Sequence, residues 1–287
     1  MSGKRLIEGQ SVSRLQAQLV QRLRAAGLES PLPEARALLT HVLHLDWAGL
    51  VLAAERPVTP AQVQELERLT LRRLSREPLQ HLLGTVEWGG VTLHVSPAAL
   101  IPRPETEGLL ALALECITET VAPAVLDVGT GTGALALGLK AARPDARVTA
   151  SDLSPEALAL AGRNAQANGL EVAFVLADLL ENATGSFDLI VSNPPYLPDG
   201  DRLNAQPEVR HDPDLALYGG PDGLKLARRL AAQATGRLEP GGILLLELDP
   251  RNVEVLAAEM MTAGWAVQTH ADLSGRERFL WASRAGR

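Results

Sequence analysis

Apolar residues in the first part of the chain recur at spacings of three and four positions, which is the period of an amphipathic α-helix. Two such stripes comprise Val12, Leu15, Leu19 and Leu23, followed by Leu38, Leu39 and Val42. Serines that could cap a helix precede the first stripe, and Pro33, a residue tolerated in a first helical turn, precedes the second. The pattern predicts one helix over each stripe, the second beginning near Pro33.

A third helix is predicted from its capping signal. Thr59 can cap it, Pro60 suits the first helical position, and Gln62 completes a capping box. Its apolar positions are Val63, Leu66, Leu69 and Leu74. The arginines on the same helix are interpreted as a solvated face and not as a binding surface; they are Arg68, Arg72, Arg73 and Arg76. Residues 1–84 are therefore predicted to form a small helical domain.

At Thr85 the pattern changes from helical spacing to alternation. In TVEWGGVTLHVS, Gly89 and Gly90 separate two short alternating runs, which is typical of a β-hairpin. We predict that residues 85–99 form a hairpin that links the helical domain to the rest of the chain. The following segment, LIPRPETEGLLALALECI, has two prolines that stiffen the chain ahead of a further helix.

Strand and helix patterns alternate through the remaining residues, 100–287. The strand-like segments are AVLDV, RVTASD, VAFVLAD, FDLIVS, GGILLLEL, WAVQTH and RFLWAS. The first five are nearly continuously apolar, as expected for parallel strands that are covered on both faces. The last two are typical of an antiparallel pair at one edge. The predicted fold class is therefore α/β, with a doubly wound, Rossmann-like sheet of seven strands.

Composition indicates the class of protein and its expected location but does not identify the reaction. Hydrophobic residues make up 46% and charged residues 21% of the 287 positions, as in an ordinary globular protein. The chain has no run of about 18 apolar residues, and its single cysteine, Cys116, excludes an internal disulfide. The first residues lack the pattern of a secretory signal, so we expect no secretory leader. We expect a cytoplasmic monomer without membrane contact. The net charge of −7 argues against a protein that coats nucleic acid.

The segment DVGTGTG, residues 127–133, follows the first strand of the predicted sheet and opens a helix. Ligands of doubly wound sheets bind outside the carboxyl ends of the strands, and glycines let the backbone approach them closely. Asp152 stands at the end of the next strand, about 20 residues past the glycines, where an acidic residue can bind a ribose diol. This spacing predicts a ligand that contains a nucleoside.

Two classes of cofactor fit that spacing. A dinucleotide would place its pyrophosphate at the helix N-terminus, where the carboxylate of Asp127 would repel it. A zwitterion such as S-adenosylmethionine tolerates the carboxylate better. Asp178, after the third strand, could accept a hydrogen bond from an adenine amino group or could simply cap a loop.

A second candidate site is NPPY, residues 193–196, which ends the strand FDLIVS. We expect this strand to be the central one, beside the glycine loop. The Asn193 side-chain oxygen and the Pro194 carbonyl can both accept from one –NH2 group, and Tyr196 can lie flat against it. These groups suit a planar amide or base nitrogen that is aimed at a methyl group. The sequence has no Ser-His-Asp arrangement, HExxH motif or metal-ligand cluster.

NPPY and DVGTGTGALAL together resemble the signature of S-adenosylmethionine-dependent methyltransferases that act on planar nitrogens. Four segments are similar to the PrmC/HemK family, and the similarity spans nearly the whole chain: EPLQHLLG (77–84), LIPRPETEGLL (100–110), SNPPYLP (192–198) and ALYGGPDGL (216–224). The resemblance implies a class I methyltransferase sheet, with residues 1–84 as a substrate-docking domain and residues 100–287 as the S-adenosylmethionine-binding catalytic domain.

The resemblance also implies a reaction. A methyl group would pass from S-adenosylmethionine to the side-chain nitrogen (N5) of the glutamine in the Gly-Gly-Gln motif of class I peptide chain release factors. S-Adenosylhomocysteine would be the other product, and no stable nucleic acid partner is expected.

Site residues follow from the same resemblance. Those expected to bind the cofactor are Asp127, Gly129, Thr130, Gly131, Thr132, Gly133, Asp152, Leu153, Asp178, Leu179 and Asn193. Those expected to form the glutamine slot are Asn193, Pro194, Pro195 and Tyr196, with Asn193, Pro194 and Tyr196 as the catalytic set. No metal is expected. The chain departs from the family pattern at His81, at Trp88, in EVRHDP (208–213) and at Asp249 in ELDPRN (247–252), and we expect only peripheral contacts to be affected.

Three other functions are compatible with parts of this pattern. A ribosomal-protein glutamine methyltransferase would share LIPRPETE, so only the helical domain and ALYGGPDGL favour release factors. A nucleic-acid methyltransferase acting on adenine or guanine would share NPPY, but the acidic balance and the lack of a basic, aromatic-bearing insert argue against it. A non-catalytic binding module would not need an intact Asp127, glycine loop, Asp152 and NPPY.

Overall fold

The computed structural model describes residue 6 and residues 9–284, and the chain divides into two compact units at the junction of Gly84 and Thr85. Each unit has an apolar core of its own. None of the helices within the described residues is long and apolar enough to cross a membrane.

The first unit consists of helices. They are α1 (Val12–Ala25), α2 (Pro31–Leu43), α3 (Trp47–Leu52), α4 (Pro60–Leu74) and α5 (Leu79–Leu83). The predicted capping box of α4 is present, because the Thr59 hydroxyl accepts from the Gln62 amide and the Gln62 side chain accepts from the Thr59 amide. Helix α2 begins at Pro31, two residues before the predicted start, since Pro31 itself occupies the first turn.

The prediction of a solvated arginine face on α4 is wrong for Arg73. This side chain is 5% exposed, and its Nε donates to Glu34 Oε2 of α2 at 2.6 Å. Arg68 stays exposed and pairs with Glu65 one turn away on the same helix. The ion pair with α2 offsets the cost of burying the Arg73 charge, which explains how an arginine enters this core.

The second unit begins with a hairpin of β1 (Thr85–Trp88) and β2 (Val91–His94), paired antiparallel across the turn at Gly89 and Gly90. The elements that follow are α6 (Thr106–Cys116), β3 (Ala124–Val128), α7 (Ala134–Ala142), β4 (Arg147–Asp152), α8 (Pro155–Asn168), β5 (Ala173–Leu176), β6 (Phe187–Ser192), α9 (Lys225–Ala234), β7 (Leu238–Glu247), α10 (Val253–Thr262), β8 (Ala266–Ala271) and β9 (Glu277–Ser283). Side chains of α8 hold β2, since Asn164 Oδ1 accepts from the His94 amide at 2.8 Å.

Strands β3 to β9 form one seven-stranded sheet in the order β5-β4-β3-β6-β7-β9-β8. The first five strands in this order are parallel, and β9 pairs antiparallel with both β7 and β8. The predicted fold class is therefore confirmed, including the central position of β6 and the antiparallel edge. One face of the sheet packs on α6 and α7, and the opposite face packs on α9 and α10. The carboxyl ends of β3, β4 and β6 consequently lie at one edge of the sheet.

Candidate active site

A cavity of about 250 Å³ opens at the carboxyl ends of β3, β4 and β6. Twelve of the residues singled out in the sequence line it: Asp127, Gly129, Thr130, Gly131, Thr132, Asp152, Leu153, Asp178, Leu179, Asn193, Pro194 and Pro195. Gly133 and Tyr196 lie outside the cavity wall. The ends of β3 and β6 are held together by the Ser192 hydroxyl, which donates to the Val128 carbonyl at 2.6 Å. The glycine loop and NPPY thus face one shared space.

The glycine loop is shaped by hydrogen bonds to β4. The amides of Gly129 and Thr130 both donate to the Ser151 carbonyl, at 2.8 and 2.9 Å, and the Gly131 amide donates to Asp152 Oδ2 at 2.9 Å. Gly133 has a φ of +87° as the residue that precedes α7, and a Cβ there would lie 3.2 Å from the Ala161 side chain. Gly133 therefore serves the turn into α7 and the packing against α8, although it is not among the cavity-lining residues.

Asp127 is a buried carboxylate with one oxygen unused. Its Oδ2 accepts from the Thr130 hydroxyl at 2.6 Å and from the Ala136 amide at 3.1 Å. Its Oδ1 is buried and has no hydrogen-bond partner among the described residues. Burial raises the pKa of Asp127 to about 7, against the lowering effect of these two donors, and the nearby Asp152 carboxylate raises it further. A cationic amino group in the cavity would satisfy the unused oxygen and stabilise the charge.

The other two aspartates differ in their remaining capacity to accept hydrogen bonds. Asp152 accepts one backbone amide on each oxygen, from Gly131 on Oδ2 and from Ser154 on Oδ1, and both oxygens keep a free lone pair. Asp178 accepts on Oδ2 from the guanidinium of Arg229, a residue of α9 that also lines the cavity. Leu153 is 51% exposed and contributes an apolar side chain to the cavity wall.

The NPPY turn is supported from behind by the segment 216–224. The Leu197 amide donates to the Leu217 carbonyl and the Gly219 amide donates to the Leu197 carbonyl, both at 2.9 Å. A Cβ at Gly219 would lie 2.3 Å from the Pro195 carbonyl oxygen, and one at Gly223 would lie 2.1 Å from the Tyr196 carbonyl oxygen. The glycines of ALYGGPDGL are therefore needed so that two backbone segments can lie against each other.

The Asn193 side chain is oriented by a residue that the sequence prediction missed. Its Nδ2 donates to the Thr106 hydroxyl oxygen at 3.1 Å, and both residues line the cavity. This leaves the Asn193 side-chain oxygen available to accept a hydrogen bond. Tyr196, unlike the other residues of NPPY, does not line the cavity and lies near Glu247. Burial raises the pKa of the Tyr196 phenol above its usual value.

The segment IPRP contributes a second group of missed residues. The Arg103 guanidinium donates to Asp212 Oδ2 at 2.6 Å, and the Ile101 amide donates to Asp212 Oδ1 at 3.4 Å. The indole of Trp88 donates to the Arg103 carbonyl at 3.0 Å, and both Trp88 and Arg103 line the cavity. Among the departures from the family pattern, Trp88 lines the cavity, contrary to the expectation of peripheral contacts, whereas Asp212 is absent from the lining and acts on it only by pairing with Arg103.

The departure at Asp249 lies away from the cavity. Asp249 pairs with Arg251 at 2.6 Å and is not among the residues that line the cavity. The sequence could have indicated Arg103 and Thr106, because both belong to the segment LIPRPETE, which ends where α6 begins.

Known proteins are similar to this chain over most of its length. The family described as PrmC N-terminal domain matches residues 14–84, and the family described as methyltransferase small domain matches residues 109–208. A release factor glutamine methyltransferase of Deinococcus radiodurans is 58% identical over 273 residues, which cover 95% of this chain and 98% of that protein. One of Rhodospirillum rubrum is 42% identical over 267 residues, covering 92% of this chain and 82% of that protein.

Solved structures share the fold at lower identity. A methyltransferase from Pyrococcus furiosus is 22% identical with a TM-score of 0.53, covering 68% of this chain and 90% of its own. The catalytic domain of hMettl16, in complex with the MAT2A 3'UTR hairpin 1, is 16% identical with a TM-score of 0.57, covering 83% of this chain and 84% of its own. These two similarities support the fold alone.

Proposed function

The chain belongs to the family of release factor glutamine methyltransferases, and we propose that it methylates the side-chain nitrogen of the glutamine in the Gly-Gly-Gln motif of class I release factors. The observation that carries this proposal is the position of Asn193. Its amide is anchored to Thr106 on one side and faces the cavity that holds the glycine loop on the other. In this proposal an acceptor for the –NH2 group stands beside the site for a cofactor that contains a nucleoside.

S-Adenosylmethionine is the cofactor that these residues fit. Its amino group matches the unpartnered buried oxygen of Asp127, and its ribose diol matches the two free acceptor positions of Asp152. Its adenine fits the apolar surface of Leu153 and Leu179, with Asp178 at the edge. When bound, the cofactor supplies an electrophilic methyl group on a sulfonium.

Methyl transfer to an amide requires positioning more than a strong base. The glutamine nitrogen is a poor nucleophile because its lone pair is delocalised, and we propose that Asn193 Oδ1 and the Pro194 carbonyl each accept one of its hydrogens. The methyl group would pass from the sulfonium to that nitrogen, and one amide proton would leave to solvent. Orientation of this kind contributes up to about 7–11 kcal/mol to lowering a barrier.

We propose that residues 1–84 dock the release factor. The match of residues 14–84 to the PrmC N-terminal domain supports this role, as does the separate core of the first unit. A glutamine within a folded partner has to be presented to the slot, so a docking unit explains how one protein is chosen.

A competition assay tests the proposed substrate. Purified protein and methyl-labelled S-adenosylmethionine are incubated with equal amounts of a class I release factor, a ribosomal-protein mixture, and bulk RNA and DNA at low salt. We expect the label on the release factor, and no label on a matched release factor in which the glutamine of Gly-Gly-Gln is replaced by alanine. Label on a ribosomal protein or on nucleic acid, with none on the release factor, would contradict the proposal.

A further inference from the structure

The hydrogen bond between Asn193 and Thr106 has a fixed direction. The Asn193 Nδ2 group can only donate, so the Thr106 oxygen is the acceptor at 3.1 Å. The single Thr106 hydroxyl hydrogen has to go elsewhere. Within the described residues, this hydroxyl donates to no backbone carbonyl, whereas Thr118, two residues past the C-terminus of the same helix, donates to the Leu114 carbonyl at 2.9 Å.

Glu247 is the acidic group that lies behind this pair. It ends β7, is 0% exposed, and neither of its carboxylate oxygens has a partner in full hydrogen-bond geometry among the described residues. The hydroxyls of Thr106 and Tyr196 are nonetheless close enough to lower its pKa by hydrogen bonding. A buried carboxylate without a donor is strongly unfavourable, so we take these two hydroxyls as its partners.

Close packing of α6 on the sheet brings Thr106 to this position. A Cβ at Gly108 of α6 would lie 2.8 Å from the ring of Phe279, and Phe279 pairs with Glu247 in the register of β7 and β9. Only a glycine lets the helix approach this closely, and the first turn of α6 then lies over the end of β7.

We propose that Thr106 and Glu247 are positioning residues that hold the Asn193 amide with its oxygen toward the substrate nitrogen. The Glu247 carboxylate accepts the Thr106 hydroxyl hydrogen, which leaves the Thr106 oxygen as an acceptor for Asn193 Nδ2. The Asn193 oxygen therefore points into the cavity. This proposal rests on the proposed function, since it assigns the orientation that the glutamine –NH2 group requires.

Protonation of Glu247 would reverse the chain of hydrogen bonds. A protonated Glu247 donates to Thr106, whose own hydrogen then turns toward Asn193 and favours the amide flipped by 180°. The flipped amide presents Nδ2 to the substrate –NH2 group, so that two donors face each other. Burial raises the pKa of Glu247 to about 7; Thr106, Arg278 and Tyr196 lower it, and Glu105 raises it. Transfer should thus be lost as pH falls below neutrality.

Two variants of Thr106 test the hydroxyl. Thr106→Val keeps the shape of the side chain and removes the hydroxyl, and Thr106→Ser keeps the hydroxyl. With saturating S-adenosylmethionine, we expect Thr106→Val to lower kcat for release factor methylation by about ten- to a hundredfold, as misorientation of a reacting group does. Thr106→Ser should restore most of the rate. The dissociation constant of S-adenosylmethionine, measured by calorimetry, should change by less than about twofold, because Thr106 is not among the residues proposed to hold the cofactor.

The pH profile of kcat tests Glu247. The wild-type profile should fall on the acid side with a midpoint near the pKa of about 7 that burial gives Glu247. Glu247→Gln should lack this acid limb and keep one low rate across the pH range, while its melting temperature is not lowered. Asp249→Asn is the matched control, since it removes a carboxylate two residues away that pairs with Arg251, and its pH profile should follow the wild type.

The outcomes separate this inference from the proposed function. Wild-type protein that labels no release factor would contradict the proposed function. Wild-type protein that labels it, together with Thr106→Val at the wild-type kcat or Glu247→Gln with the acid limb intact, would overturn the positioning role alone. In the double variant Thr106→Val/Glu247→Gln, kcat should be lowered no more than in the slower of the two single variants, because both residues act through Asn193.

Discussion

At the residue scale, Asp127 is unusual because its negative charge is unfavourable in the folded protein when no cation is bound beside it. Burial raises its pKa to about 7 from an ordinary value of 3.8, so the folded state binds a proton more tightly than the unfolded state does. Between pH values equal to these two pKa values, the contribution of Asp127 to the free energy of unfolding falls as pH rises. A bound cation reverses the effect, since it stabilises the carboxylate. We therefore expect the negative charge of Asp127 to be compensated by the cationic ligand.

The first prediction concerns cofactor affinity. The dissociation constant of S-adenosylmethionine should rise as pH is lowered from 7 to 5.5, because Asp127 becomes protonated and loses its attraction for the amino group. Asp127→Asn should weaken binding at pH 7 by about ten- to a hundredfold, the magnitude of a charge-assisted hydrogen bond of roughly 1.5–3 kcal/mol. Its dissociation constant should hardly change with pH. Isothermal titration calorimetry measures both quantities.

Asp188→Asn supplies the control for this experiment. Asp188 lies near the start of β6, at the opposite end of the sheet, where its Oδ2 accepts from the Ala124 amide at 2.8 Å. Its replacement should leave cofactor affinity and the pH dependence as in the wild type. Equal affinities of the wild type and Asp127→Asn at pH 7 would show that the Asp127 carboxylate does not bind the amino group.

Site residues differ in how far the sequence could indicate them. Asp127 and Asp152 were predictable because they lie in the last two residues of parallel strands, and parallel strands place their carboxyl ends together. The segment LIPRPETE drew attention to Thr106, but neither its contact with Asn193 nor the position of Glu247 behind it could be predicted, because both depend on which helix covers which strand.

At the scale of elements, the segment 216–224 determines where NPPY stands. We predict that Gly223→Ala destabilises the second unit by about 3 kcal/mol or more, since Gly223 has a φ of +79° and a Cβ would lie 2.1 Å from the Tyr196 carbonyl oxygen. Because the Tyr196 backbone has to move, kcat should also fall by about a hundredfold. Thermal unfolding and release factor methylation measure the two effects.

Gly200→Ala provides the comparison for that variant. Gly200 follows the NPPY turn closely, has no heavy atom within 4 Å of a Cβ placed there, and does not have a positive φ in the region that favours glycine. Its melting temperature and kcat should match the wild type. A Gly223→Ala protein with the same melting temperature and rate would mean that the two segments can separate without consequence.

Elements also differ in their predictability. Helices α1 and α4 were predicted because they bury a long leucine stripe, and α4 has a capping box besides. Helices α3 and α5 span only six and five residues, which is too short for a 3.6-residue period to be visible. The burial of Arg73 was missed because its partner, Glu34, lies 39 positions earlier on another helix.

At the scale of the whole molecule, the two units have separate cores, and we predict that they can be separated. The chain of residues 85–287 should keep its circular dichroism spectrum and bind S-adenosylmethionine within about twofold of the full chain, because every cavity-lining residue belongs to it. Its kcat/KM for an intact release factor should fall about tenfold or more, as expected when one of two linked contacts is lost.

A free peptide that contains Gly-Gly-Gln is the control substrate for the separated unit. Both proteins should methylate it with similar efficiency, since it has no surface for residues 1–84 to bind. A separated unit that methylates the intact release factor as efficiently as the full chain does would contradict the proposed docking role of the first unit.

The most direct test of the central claim is tandem mass spectrometry of a release factor after incubation with the protein and S-adenosylmethionine. We predict one added methyl group, located by fragmentation on the side-chain nitrogen of the Gly-Gly-Gln glutamine. With Asn193→Ala the yield should fall by about a hundredfold or more, as when a group that binds the transition state is removed. An unmodified glutamine, a methyl group on another residue, or full methylation by Asn193→Ala would contradict the account.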